Sequence, residues 1–165
     1  MVPKTAVRAL VLPGSVVGPV DLGRMLRELA TLENTLMQLR LKPDTAPRLP
    51  KTSKLLDQAI ELNKLNLLDE ADFIALQKFL SHTRECAPVL HISFGADPSA
   101  IFTQKLVQWL RQEIDPLVLL TIGLQPTIGA GCVVRSVNKY FDFSLREHLI
   151  NNRQQLIAQL QELST

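Results

Sequence analysis

An α+β fold is predicted: residues 1–20 form an extended N-terminal arm, residues 21–86 a helical domain of about three helices, and residues 87–165 a small β-α-β-β-β-α domain. Three observations lead there. Before Pro88, apolar residues recur at three- and four-residue steps between clusters of proline, which is helical periodicity broken by loops. From Val89 to Phe94 the chain reads VLHISF, a β-rich run closed by Gly95. From Ile128 to Leu149 it reads IGAGCVVRSVNKYFDFSLREHL, which holds a glycine-rich entry, a short apolar strand, a tight turn, a second strand and a helix start.

In order along the chain, the arm carries Pro3, Pro13, Gly14, Gly18 and Pro19, and breakers at that density argue against a helix. Its apolar stretch Ala6–Leu12 is left open between a strand and an extended segment. The first residues hold basic groups and no acid, as a short transit segment would, but Pro3 and Pro13 interrupt them and favour a loose arm. Asp21 is placed as the cap of the first helix. Leu22, Met25, Leu29, Leu32, Leu36 and Leu39 then form a heptad-like stripe flanked by Arg24, Arg27, Glu28, Glu33 and Arg40. Such a stripe serves either a partner-binding helix or one member of an intramolecular bundle, and its shortness favours the bundle. Lys42–Pro50, with three prolines, is a loop. A second helix is expected from about Ser53 to Leu65. A third, capped by Asp69, is expected from Glu70 to about Arg84, with Phe73, Ile74, Leu76, Phe79 and Leu80 as its core face.

Beyond Pro88, Asp97-Pro98 reads as a helix start, aspartate at the cap and proline at the first helical position. Phe102, Leu106, Trp109, Leu110 and Ile114 are the expected buried face of that helix. Pro116 stops it, and Leu117–Leu124 is a second strand. Cys132, Val133 and Val134 form a third strand, and Asn138-Lys139 supplies the turn because asparagine tolerates positive φ. Ser144 with Glu147 has the spacing of a capping box, in which each side chain satisfies the other's backbone N–H. The final helix is expected to run from Leu145 to about Leu163, with Leu149, Leu156, Leu160 and Leu163 on one face.

Composition narrows the function. The net charge of +2 is far from that of a dedicated nucleic-acid binder. Cys86 and Cys132 form no CxxC pair and read as buried reduced thiols. No apolar run approaches the roughly 18–20 residues that span a bilayer. His82, His91 and His148 lack metal-ligand spacing, and Ser144 lacks the strained elbow of a serine nucleophile. The glycines near Ile128 lead into a strand rather than a helix, so they do not make a phosphate cradle. What remains is a protein that works by binding other proteins. The alternatives are a stand-alone adaptor, or a small enzyme using Asp142, His91 or His148.

The run Ile128–Leu149 resembles the C-terminal signature of the delta subunit of F-type ATP synthases, called the oligomycin-sensitivity-conferring protein in mitochondria. Gly131, Arg135, Asp142, Ser144, Arg146 and Leu149 fall in matching places without a gap, and Pro88–Leu124 fits the strand–helix–strand before the signature. Val137 and Phe143 stand where that family usually has glycines. The resemblance implies a non-catalytic peripheral-stalk subunit with no cofactor, metal or catalytic residue. Its implied partners are the alpha subunits of the catalytic head and the stator b helices, with no nucleic acid, and it meets the membrane only through the complex. The implied location is the cytoplasmic face of a bacterial membrane, or the inner face of a mitochondrion or plastid if the N-terminus is a transit segment. The stripe Leu22–Leu39 and the last helix, with Leu156 and Leu160, are the surfaces it would offer. The family's helical domain has six helices, about twice what fits before Pro88.

Overall fold

The computed structural model describes residues 10–41 and 50–162, except for some helix side chains, among them those of Leu39, Glu147, His148, Leu149, Leu156 and Leu160. Helix α1 spans Pro19–Leu41. It starts before Asp21, not after it, because proline's fixed φ suits the first helical position. Asp21 sits inside the first turn and reaches back, its carboxylate accepting from the N–H groups of Val17 at 3.0 Å and Gly18 at 3.1 Å. Helix α2, Lys54–Asn63, is capped by Ser53, whose hydroxyl accepts from the Leu56 N–H. It stops short of Leu65 because Lys64 turns left-handed at φ 51° and closes the last turn. Helix α3, Glu70–Cys86, is capped by Asp69 as expected and continues past Arg84. Ala87 then becomes extended, which the ring of Pro88 imposes on the residue before it.

These helices enclose an aliphatic core. Leu22, Met25, Leu29 and Leu32 of α1 pack with Leu56 and Ala59 of α2 and with Phe73, Leu76 and Leu80 of α3. Ile74, expected inside, is exposed.

Strands β1 (Val89–Phe94), β2 (Leu119–Leu124), β3 (Cys132–Arg135) and β4 (Tyr140–Asp142) form one mixed sheet in the order β2-β1-β3-β4. β1 and β2 are parallel and joined through α4, Ala100–Glu113, while β3 and β4 continue the sheet antiparallel. The cap of α4 is Ser99, not Asp97: the serine hydroxyl accepts from the Phe102 N–H at 3.3 Å. The buried face of α4 is also rotated from the expected one. Thr103, Val107 and Leu110 are buried and Leu106 is half-buried, while Phe102, Trp109 and Ile114 are exposed. Thr103 is tolerated inside because its hydroxyl donates to the Ser99 carbonyl at 3.1 Å.

Residues 10–18 do not hang free. Leu12 and Val16 are buried in the helical core, and the Val17 carbonyl accepts from Leu120 N–H at 2.8 Å on the outer edge of β2. Gly18 passes so close to the Leu120 carbonyl that a Cβ would meet it. Leu119 of β2 belongs to the helical core as well, so the expected boundary at residue 87 is bridged rather than clean. Residues 1–9 of the expected arm, the loop 42–49 and Leu163 lie outside the described residues.

Candidate functional site

The resemblance places its signature residues around the β3–β4 hairpin and its exit. Gly131 enters β3 at φ 92°, and a Cβ there would collide with the Phe143 carbonyl and the Ser144 Cα. Only glycine has both the conformation and the clearance. Arg135 closes β3 with its guanidinium over the Tyr140 ring, 5.2 Å from the centroid, a cation–π contact. The turn differs from the expected one. Ser136 N–H donates to the Lys139 carbonyl at 2.8 Å, and among the described non-glycine residues only Lys64 has positive φ, so Asn138 is not left-handed. Val137 takes the turn without needing a glycine there.

At the far end, Asp142 is the acceptor. Its carboxylate takes the Ser144 N–H at 2.8 Å. Hydrogen bonds from the Ser144 hydroxyl and N–H, helped by nearby Arg146, hold the carboxyl below its ordinary range. Ser144 was expected to be the cap of a helix starting at Leu145. Instead α5 starts at Arg146, and Ser144 sits ahead of it donating to Asp142. Phe143 N–H bonds to the Cys132 carbonyl and Leu145 N–H to the Ala130 carbonyl, so the exit is pinned at two points. The expected single helix is split into α5, Arg146–Asn151, and α6, Arg153–Glu162. Asn151 and Asn152 compete for the backbone's own hydrogen bonds and weaken a helix interior. Every described side chain of α5 and α6 is exposed. The other half of the expected capping box, Glu147, and the expected contact residues Leu149, Leu156 and Leu160 lie among the undescribed side chains.

The leucine stripe divides. Leu22, Met25, Leu29 and Leu32 fill the chain's own core and are not available to a partner. Leu36 is half-buried and lines an open apolar depression with Leu32, Ile60, Leu65, Leu67 and Leu68. Leu39 lies outside the described side chains. Sequence reasoning missed the apolar surface beside α4, because it assigned Phe102 and Trp109 to the core.

Among the described residues, those weighed for chemistry do not converge, and the side chain of His148 lies outside the described ones. His91 and Asp142 are both exposed, on strands separated by β3 and at different register positions. His82 is exposed on α3. Among the described residues no group of His, Cys, Asp and Glu is arranged to hold a metal. Cys86 is exposed, not buried as expected, because it lies on the outer face of the last turn of α3. Cys132 is half-buried, and burial together with the charge of Asp142 raises its thiol pKa. No described helix is long and apolar enough to cross a membrane. No protein-family model and no curated protein matches the chain.

Proposed function

We propose that this chain is a non-catalytic peripheral-stalk subunit of an F-type ATP synthase. It would link the catalytic head to the stator b helices, so that the head is held still while the central shaft turns and proton flow is coupled to ATP synthesis. The observation that carries the reading is the signature set Gly131, Arg135, Asp142, Ser144 and Arg146. These residues are ungapped in sequence and lie along one hairpin and the junction that pins the chain's exit into α5. Each has a local physical role there. The described residues of α5 and α6, all exposed, give a partner helix something to pack against. The protein would act peripherally, at the cytoplasmic face of a bacterial membrane.

The test is retention of partners. The full chain is immobilised and challenged at physiological salt with the stator b subunit and the head alpha subunit from the same cell. Retention of b, with or without alpha, is the expected result. Loss of both sinks the reading and leaves a stand-alone adaptor.

A further inference from the structure

Residues 10–18 contain no helix or strand, yet they lie in a groove lined by α2, α4 and β2. They are held unevenly along their length. Next to α1 the segment has a root. The Val16–Val17 peptide group is held on both sides, its carbonyl by Arg111 at 2.7 Å and its N–H by the Asp21 carboxylate at 3.0 Å. The Val17–Gly18 group is held the same way, its carbonyl by the Leu120 N–H at 2.8 Å and its N–H by Asp21 at 3.1 Å. Val16 itself is fully buried, and Gly18 is pressed against the Leu120 carbonyl.

Beyond the root the grip changes. From residue 10 to 15 only Leu12 and Pro13 are buried. Val11 is exposed, and both its backbone groups pair with one side chain: Asn63 accepts the N–H at 2.8 Å and donates to the carbonyl at 3.0 Å. The Ser15 hydroxyl donates to Gln58 at the surface. On the other side, the Pro13 carbonyl accepts from Arg111 at 2.8 Å, and Gly14 lies against Gln108 where a Cβ would not fit. Asn63 and Gln58 belong to α2, Arg111 and Gln108 to α4. Residues 10–15 therefore tie a helix of one half to the helix of the other. No backbone ladder holds them. Each bond goes to a separate side chain, those to Asn63 and Gln58 at the surface, and contacts of that kind open at low free energy. The Val16 N–H bonds to the Pro13 carbonyl at 3.1 Å, so withdrawal of Leu12 and Pro13 bares that bond to water.

We propose that residues 10–15 are a latch across the two halves, which opens as a unit while the root and both halves stay folded. Closed, it ties α2 to α4. Open, the halves remain joined by the root, by Leu119 in the helical core and by the chain at Ala87, and the tie between α2 and α4 is gone. Arg111 makes the opening reversible. It serves both parts, with one nitrogen on Pro13 of the latch and another on Val16 of the root, and its Nε on Val118. When the latch leaves, the guanidinium keeps two of its three partners and stays in place to receive Pro13 again. The latch is built from the chain's own bonds and does not depend on the stalk reading.

Amide hydrogen exchange followed by NMR on the full-length chain tests it. Val11 and Val16 report the latch, and Leu120 reports the root. Leu119, whose N–H bonds to the Pro88 carbonyl at 3.0 Å, reports the sheet. After correction for intrinsic rates, Val11 and Val16 should exchange alike, and roughly tenfold or more faster than Leu120 and Leu119. Asn63→Ala removes the bonds to Val11, yet it should also speed Val16, whose N–H bonds to Pro13, by about tenfold. Leu120 and Leu119 should not change. Gln58→Ala gives the same pattern and serves if Asn63→Ala fails to fold by circular dichroism. Val16 exchanging as slowly as Leu119 overturns the proposal, since the segment then opens only with the whole fold. Leu120 exchanging as fast as Val16 overturns it too, because the root opens as well. Acceleration of Val11 alone by Asn63→Ala marks a fraying end rather than a unit, and also overturns it.

Discussion

Arg111 offers the sharpest test of how the chain is held together. Its guanidinium donates to the carbonyls of Pro13 at 2.8 Å and Val16 at 2.7 Å, and more loosely to Val118 at 3.3 Å. Burial pulls its pKa down to about 10, still far above neutrality, so the cation persists at pH 7. Arg111→Met keeps most of the aliphatic stem and removes the donors. Two short charge-assisted bonds are lost, worth about 1.5–3 kcal/mol each. The Pro13 carbonyl keeps the N–H of Val16 at 3.1 Å, and Gly14 and Ser15 between the two carbonyls are half-buried, so the lower end applies to each. The removed dehydration of the guanidinium offsets a further part. The expected net loss is about 2–3 kcal/mol, or roughly 4–12 °C in Tm for a chain of this size. Urea unfolding followed by Trp109 fluorescence and by far-UV circular dichroism measures it. Arg111→Lys should fall between, since one ammonium cannot span both carbonyls with the fork of a guanidinium. A loss for Arg111→Met under about 0.5 kcal/mol, the range of an ordinary surface change, would refute the claim that this side chain clamps the arm.

Gly131→Ala, at φ 92° and against Phe143 and Ser144, should cost about 2–3 kcal/mol in urea unfolding, whereas Gly23→Ala on α1, where an added Cβ meets nothing within 4 Å, should gain about 0.5–1 kcal/mol. Asp142 has a lowered folded pKa, so its stabilising contribution is complete above the unfolded-chain value and is lost as pH falls through the folded one. Urea midpoints between neutral and acidic pH should therefore fall less for Asp142→Asn than for the parent chain. Exposed Cys86 should be alkylated by iodoacetamide well before Cys132, whose thiol is half-buried and raised in pKa; peptide mapping of a time course reads the order, and equal rates would contradict the packing of β3.

Much of this fold is legible because its signals are local. Asp69 caps the helix it was expected to cap, and the second helix begins beside Ser53 as expected. The run VLHISF forms β1 with the expected ends. The errors arise where a distant contact decides. Thr103 scores as polar, yet it is buried once its hydroxyl is satisfied by Ser99 on its own helix, and that rotation turns Phe102 and Trp109 outward. The arm's prolines and glycines read as looseness. Gly18, however, is needed for close approach to Leu120, and the partners that hold the arm, Leu120 and Arg111, lie some hundred residues away. Periodicity identified Leu22–Leu32 as an apolar stripe, but it carries no information on whether the chain or a partner buries that stripe. At the candidate site, the glycine at 131 marked a place where the backbone bends or packs closely, while its positive φ came only with the fold. That Ser144 donates to Asp142 ahead of α5, instead of capping a helix at Leu145, depended on how the β4 exit is pinned.

The bridging of the two halves bears on the proposed mechanical role. Segments joined by a linker move relative to one another unless a sizeable apolar interface joins them. Here Leu12, Val16 and Leu119 lie in one core with the helices, while Val17 sits against the sheet cluster. A load applied at the sheet reaches the helical half through β2 and the arm, not through Ala87 alone. Each step on that route is a close contact: Leu120 to Val17, Arg111 to Pro13 and Val16, Leu119 to the helical core. A part proposed to resist torque gains from such a junction, because a hinge there would absorb the twist that it has to hold.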